Sequence, residues 1–89
     1  MSQRYLEITF RRGKPLAAYL YLPRRENDHS DRVEERGPGY LVDWSIDGRP
    51  IGIELTSPSQ VTLAELNAVL TELNLDPLTA DDVSPLVAA

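Results

Sequence analysis

The chain of 89 residues contains no cysteine. Disulfide scaffolds, thiol nucleophiles and Cys-ligated zinc or iron centres are excluded with it. No apolar run approaches the roughly 18 to 20 residues that a membrane helix needs. The opening MSQRYLEITF also lacks the apolar stretch of a signal peptide, so the expected location is the cytoplasm. Histidine, tryptophan and phenylalanine occur once each, and no lysine or arginine follows Arg49. With one histidine there is no metal-spaced histidine pair, and neither a Gly-rich phosphate loop nor a nucleophile elbow is present. A domain of this size buries about 60 to 65% of the surface its unfolded chain exposes. That suffices for one core and leaves little room for a walled-off catalytic cavity. The expectation is a single domain over residues 1–89, not an enzyme, with no cofactor.

What is present is unevenly charged. The formal net charge of -5 divides into six basic and one acidic residue over positions 1–25, and three basic and thirteen acidic residues over positions 26–89. Such asymmetry marks either a basic arm, an acidic surface for a basic partner, or two halves that attract each other within the fold. Arg11, Arg12, Lys14, Arg24 and Arg25 are candidates for touching phosphate, but the acidic total and the sparse aromatics argue against nucleic acid.

Period-2 alternation predicts the strands. Residues 5–10 set Leu6, Ile8 and Phe10 against Tyr5, Glu7 and Thr9, and residues 15–22 set Leu16, Ala18, Leu20 and Leu22 on one face. Matching these faces predicts a three-residue loop, with Phe10 opposite Leu16, Ile8 opposite Ala18 and Leu6 opposite Leu20. Residues 23–30 are polar and aperiodic, a mobile surface loop by expectation, and residues 31–36 form a weak strand before Gly37-Pro38-Gly39. Residues 40–46 and 50–55 alternate cleanly around Asp47-Gly48. A two-residue type I′ turn there predicts Trp44 opposite Ile51, Val42 opposite Ile53 and Tyr40 opposite Leu55. Pro50 then requires that its side of the sheet be an edge.

A capping box at Thr62-Leu63-Ala64-Glu65 starts a helix over residues 62–73, with Val61 and Leu66 as a hydrophobic staple. Leu63, Leu66, Val69, Leu70 and Leu73 form its apolar stripe, and Asp76-Pro77 stops it. Residues 76–89 read as a short extension with one helical turn at residues 79–82. The predicted fold is α+β: a small antiparallel β-meander of about five strands with one C-terminal amphipathic helix packed on it.

Asp43-x-Ser45-x-Asp47-Gly48, followed after five residues by Glu54, has the spacing of a calcium-binding EF-hand loop. Helices must flank such a loop, and the period-2 run and Gly37-Pro38-Gly39 forbid the first of them. On a hairpin, Asp43 and Glu54 instead become diagonal neighbours on the polar face, about 7 to 8 Å apart. Asp43, Trp44, Asp47 and Glu54 are therefore the candidate binding residues, Asp47 and Gly48 the structural turn, and no metal site is expected. His29 reads as a surface residue of the polar loop.

The sixteen residues from Tyr40 to Leu55, YLVDWSIDGRPIGIEL, resemble the domain-of-unknown-function 2283 family of short, mostly bacterial proteins. The family's hallmark is a similar hairpin with Val-Asp-aromatic, Asp-Gly and Gly-Ile-Glu at matching places. Residues 18–22 and 33–35 look like its preceding strands, whereas the helix from Thr62 extends past its usual core. The resemblance implies a small antiparallel sheet, no established catalytic activity and, by analogy, an antitoxin-like or partner-binding role. Three readings follow from the sequence: a protein-interaction module that pairs with itself through a strand edge or with another protein, an antitoxin-like partner of a small basic toxin, and a small-ligand or divalent-metal-binding domain using the hairpin carboxylates.

Overall fold

Five alternating segments become the strands β1 (Tyr5–Arg11), β2 (Lys14–Tyr21), β3 (Arg32–Glu35), β4 (Tyr40–Trp44) and β5 (Pro50–Leu55), and one apolar-striped segment becomes the helix α1 (Leu63–Glu72). The structure is a computed structural model that describes residues 4–84. As expected, the class is α+β, an antiparallel sheet with a C-terminal helix. The strand order is β1-β2-β5-β4-β3, so the chain departs from a consecutive meander after β2 and places β5 in the centre. Burial explains the order. β5 carries Ile51, Ile53 and Leu55, all essentially inaccessible, whereas β3 is short and polar and belongs at an edge.

Pro50 is accordingly not on an edge strand. It opens β5, beyond the Tyr21–Gly52 pair that ends the β2–β5 ladder, where no hydrogen bond is required of it.

Both hairpins keep the predicted pairing in their bodies and change it near their turns. In the first, Leu6 faces Leu20 and Ile8 faces Ala18, but Phe10 faces Pro15 and Arg11 faces Lys14. The turn is the two residues Arg12 and Gly13, at φ of 54° and 78°, and Leu16 becomes the bulged residue. A two-residue turn with positive φ at both positions matches the strand twist, which outweighs the Phe10–Leu16 match. Both side chains end half-exposed, at 51% and 53%. A ten-residue helix spans only about 15 Å, too short to roof the far end of this hairpin.

In the second hairpin Tyr40 faces Leu55 and Val42 faces Ile53, but Trp44 faces Pro50 and Ile51 is bulged out of the ladder. The expected type I′ turn is absent: Gly48 has φ of 84°, while Asp47 stays in the ordinary negative region. The Gly48 amide donates to the Ser45 carbonyl and the Ser45 amide to the Arg49 carbonyl, giving a type I turn closed by a left-handed glycine. Ile46 is left at the tip, 80% exposed.

The core lies between one sheet face and α1: Leu20, Leu22, Val42, Ile53 and Leu55 against Leu66 and Leu70, each at or below 1% exposure. Burying each such side chain is worth about 1.5 to 3 kcal/mol. Thr62 caps the helix by accepting the Glu65 amide at 3.1 Å, the first half of the predicted box. The Glu65 carboxylate, expected to reach back, accepts the Tyr40 hydroxyl at 3.1 Å and ties the helix start to β4. The helix ends at Glu72, short of Asp76-Pro77, because Asn74 turns left-handed.

Residues 75–84 do more than extend the chain. Leu78 and Val83 join the core, and the Asn67 side chain holds Leu78 through its backbone amide (2.7 Å) and carbonyl (3.1 Å). Arg4 donates to the Asp76 carbonyl from the start of β1. The expected turn forms at Thr79–Asp82, where the Thr79 amide bonds the Asp82 carboxylate at 2.8 Å. The part of the expected extension from Pro85 onward lies outside the described residues.

Candidate functional site

Among the described residues no helix lies on the second face of the sheet. The ladder places two rows of side chains across it: Tyr5, Tyr21, Gly52, Asp43 and Val33 in one, and Glu7, Tyr19, Glu54, Leu41 and Glu35 in the other. Three tyrosines and four carboxylates thus share a surface that the strand period alone dictates.

The aromatic part is ordered by its own contacts. Tyr5 and Tyr21 stack with centroids 4.4 Å apart, and Tyr19 meets Tyr21 edge-on at 4.7 Å. The Tyr19 ring lies across Gly52. A Cβ on that glycine would sit 1.8 Å from the Tyr19 hydroxyl oxygen, so only glycine allows the ring its place. From there the hydroxyl donates to Asp43 Oδ2 at 2.5 Å, and Ser30 donates to Oδ1 at 3.2 Å. Burial pushes the Tyr19 hydroxyl well above the ordinary tyrosine range, and the hydrogen bond and negative charge of Asp43 push it the same way. It is a fixed donor with no tendency to ionise. Tyr21 donates to Glu7 at 3.3 Å.

The loop over residues 23–30 rims this face, and its expected mobility gives way to a set of anchors. The Arg24 guanidinium lies 5.3 Å from the centre of the Tyr21 ring and donates to the Ile51 carbonyl, which also accepts the Leu22 amide at 3.3 Å. Asp28 accepts both terminal nitrogens of Arg49 at 2.9 and 2.6 Å, and its side chain is only 10% exposed. The bidentate Arg49 pair, followed by the Arg25 amide, holds the Asp28 carboxyl below its usual range. Asp31 closes the loop through its amide to the Trp44 carbonyl. A shallow cleft of about 440 Å³ remains between loop and sheet, where Glu7, Tyr19, Tyr21, His29 and Asp43 meet. His29 is exposed, as expected, with Nδ1 3.3 Å from the Asn27 carbonyl.

The four sequence-selected binding residues are separated by this architecture. Asp43 belongs to the open face. Asp47 is at the hairpin tip, taken up by Ser45 Oγ (2.5 Å), Arg49 Nε (3.0 Å) and Arg25 (3.5 Å). The Arg49 bond first, and then Ser45, lower its carboxyl to about 2. Trp44 sits toward the core face, its ring under the guanidinium of Arg32 at 4.8 Å and near that of Arg36 at 5.9 Å. Glu54 is exposed on the open face opposite Tyr19. Among the described residues no three His, Cys, Asp or Glu side chains come together as metal ligands.

A larger concavity of about 680 Å³ lies between the β3–β4 turn and α1. Two pairs cross it, Arg36 with Glu72 at 3.2 Å and Tyr40 with Glu65 at 3.1 Å, and Glu35, Thr56, Ser57 and Gln60 also line it.

Sequence reasoning missed Tyr5, Glu7, Tyr19, Tyr21 and Gly52 as one surface. Each lay on the polar side of its alternation, and the signal was there in Gly52, a strand-interior glycine that marks close approach of another group. No family model, no curated protein and no solved structure matches the chain.

Proposed function

We propose that this chain is a small, non-enzymatic interaction module of the bacterial cytoplasm whose open sheet face binds a basic segment of a protein partner. The observation that carries the reading is the Tyr19–Gly52–Asp43 arrangement. A glycine in the central strand lets a tyrosine lie across it beside a carboxylate, on a face that also offers Glu7, Glu54 and two further tyrosines. Tyrosine faces attract guanidinium and ammonium groups, and neighbouring carboxylates add charge and direction. The Tyr19 hydroxyl donates to Asp43, and burial keeps it neutral, which suits a fixed recognition contact. The same face suits the antitoxin-like role that the family resemblance suggests, a basic toxin being one protein with such a segment. A divalent-cation role has less support, because Asp47 is engaged by two arginines and lies away from Asp43.

Titration with an arginine- and lysine-rich peptide, followed by calorimetry at two salt concentrations, tests the reading. The expected result is binding that weakens with salt and falls about tenfold or more in the Asp43→Asn, Glu54→Gln double variant. Equal binding by the double variant, or none at millimolar peptide, overturns it.

A further inference from the structure

The two edges of the sheet are not alike. β3 is four residues long with three of them charged, and Arg32 and Arg36 reach from it over Trp44. Short, charged edges of that kind resist pairing with another chain. β1 is seven residues long and regular, since the bulge of its hairpin falls on Leu16 of β2. Among the described residues no strand lies on its outer side, and Phe10 at its end is 51% exposed. The basic turn beyond it is unsatisfied: among the described residues Arg11, Arg12 and Lys14 make no ion pair or hydrogen bond through their side chains.

We propose that two copies of this chain pair through β1, antiparallel about a two-fold axis at Thr9, to form one ten-stranded sheet. An isologous antiparallel pair allows the axis only on or beside particular residues, and the candidates differ in charge. An axis at Glu7 sets Glu7 against its own copy, and an axis at Ile8 sets Glu7 against Thr9 and Arg11 against Tyr5, so that neither charge meets its opposite. An axis at Phe10 leaves only three residues of β1 paired. The axis at Thr9 sets Glu7 opposite Arg11 twice and Ile8 opposite Phe10 twice, with Thr9 facing itself. Every one of these cross-strand pairs is of a stabilising type. The arrangement covers the exposed Phe10 and gives Arg11 a partner. It also places both helices on one side of the sheet and both tyrosine faces on the other, so a dimer presents two binding faces to one partner. The proposal deepens the reading of the chain as an interaction module and rests on it. It uses a different surface, so the two are tested separately.

The cysteine-free chain makes the test direct. Directly opposed residues have Cα atoms about 4.5 to 5.5 Å apart, within disulfide reach. Thr9→Cys is expected to cross-link under mild oxidation, and Val33→Cys on β3 is not. Light scattering from micromolar to millimolar protein is expected to show a monomer–dimer equilibrium. Arg11→Glu should weaken that equilibrium tenfold or more, and Glu7→Arg with Arg11→Glu should restore it, which separates lost pairing from lost folding. A strictly monomeric chain, a dimer indifferent to Arg11→Glu, or equal cross-linking through Val33→Cys overturns the proposal. Arg11→Glu leaves Tyr19, Tyr21 and Asp43 in place, so this variant should still bind the basic peptide. Loss of dimer with retained peptide binding assigns the two surfaces to their separate roles, and failure of peptide binding in the wild-type dimer refutes the face reading alone.

Discussion

The two faces of the one sheet are built by different means. Directly under α1 the side chains are mostly aliphatic and almost wholly inaccessible, and what holds them is the removal of apolar area from water. Toward solvent the side chains are tyrosines and carboxylates, and what holds them is directional: ring stacking, the Tyr19–Asp43 hydrogen bond and the absence of a Cβ at Gly52. The first kind of face is needed to fold an 89-residue chain. The second adds little burial, so its geometry is better explained by what it presents than by what it stabilises.

That difference is breakable in a graded way. Leu70→Ala on the closed face should cost about 2 to 5 kcal/mol in a denaturant titration, since a fully buried leucine leaves a cavity that the helix fills only in part. Gly52→Ala is the matching insult to the open face and should cost about 1 to 3 kcal/mol, because the new methyl overlaps the Tyr19 ring. Repeated in a Tyr19→Ala background, the same substitution should be nearly neutral, and that non-additivity is the signature of the ring lying on the glycine. Tyr19→Phe keeps the ring and removes only the donor to Asp43. It should cost about 1 kcal/mol while lowering affinity for a basic peptide by less than Asp43→Asn does.

The smallest effect concerns acid. Asp47 titrates near 2 in the folded protein against an ordinary 3.8, so its ion pairs contribute fully above pH 4 and are lost as pH falls toward 2. Asp28 is lowered in the same direction by Arg49. Thermal melts of wild type and Asp47→Asn should converge as the pH drops through that window. Above pH 5 the wild type should be the more stable.

Much of this was legible in the chain itself. Alternation located four of the strands, β3 was a weak candidate carried mainly by Val33, and the Thr62 cap located the helix. The hairpin bodies were also readable, because a one-residue slip would have turned Leu20 or Ile53 to solvent. The turns were less so. At residues 45–49 the buried Ser45 hydroxyl and the Arg49–Asp47 pair favour a longer loop than Asp47-Gly48 alone suggests, and no pairwise strand rule contains those contacts. The anchoring of residues 23–30 was hidden for a similar reason: Asp28 and Arg49 are 21 positions apart and meet only once β5 is central. The same holds for Asn67, whose clasp on Leu78 brings a polar-looking segment into the core. As for the site, Asp43 and Glu54 were found as neighbours on one face, but their surroundings depended on β2 lying beside β5. That long-range pairing brings Tyr19 over Gly52.

The central claim is that the uncapped face, not the helix side, is the recognition surface. Mapping amide shifts by NMR during titration with an arginine- and lysine-rich peptide tests it most directly. The account predicts that shifts concentrate at Tyr19, Tyr21, Asp43, Gly52 and Glu54, with α1 and the concavity beside Tyr40 unchanged. Shifts centred on Glu65, Glu72 and the β3–β4 turn, with the tyrosine face silent, would contradict it.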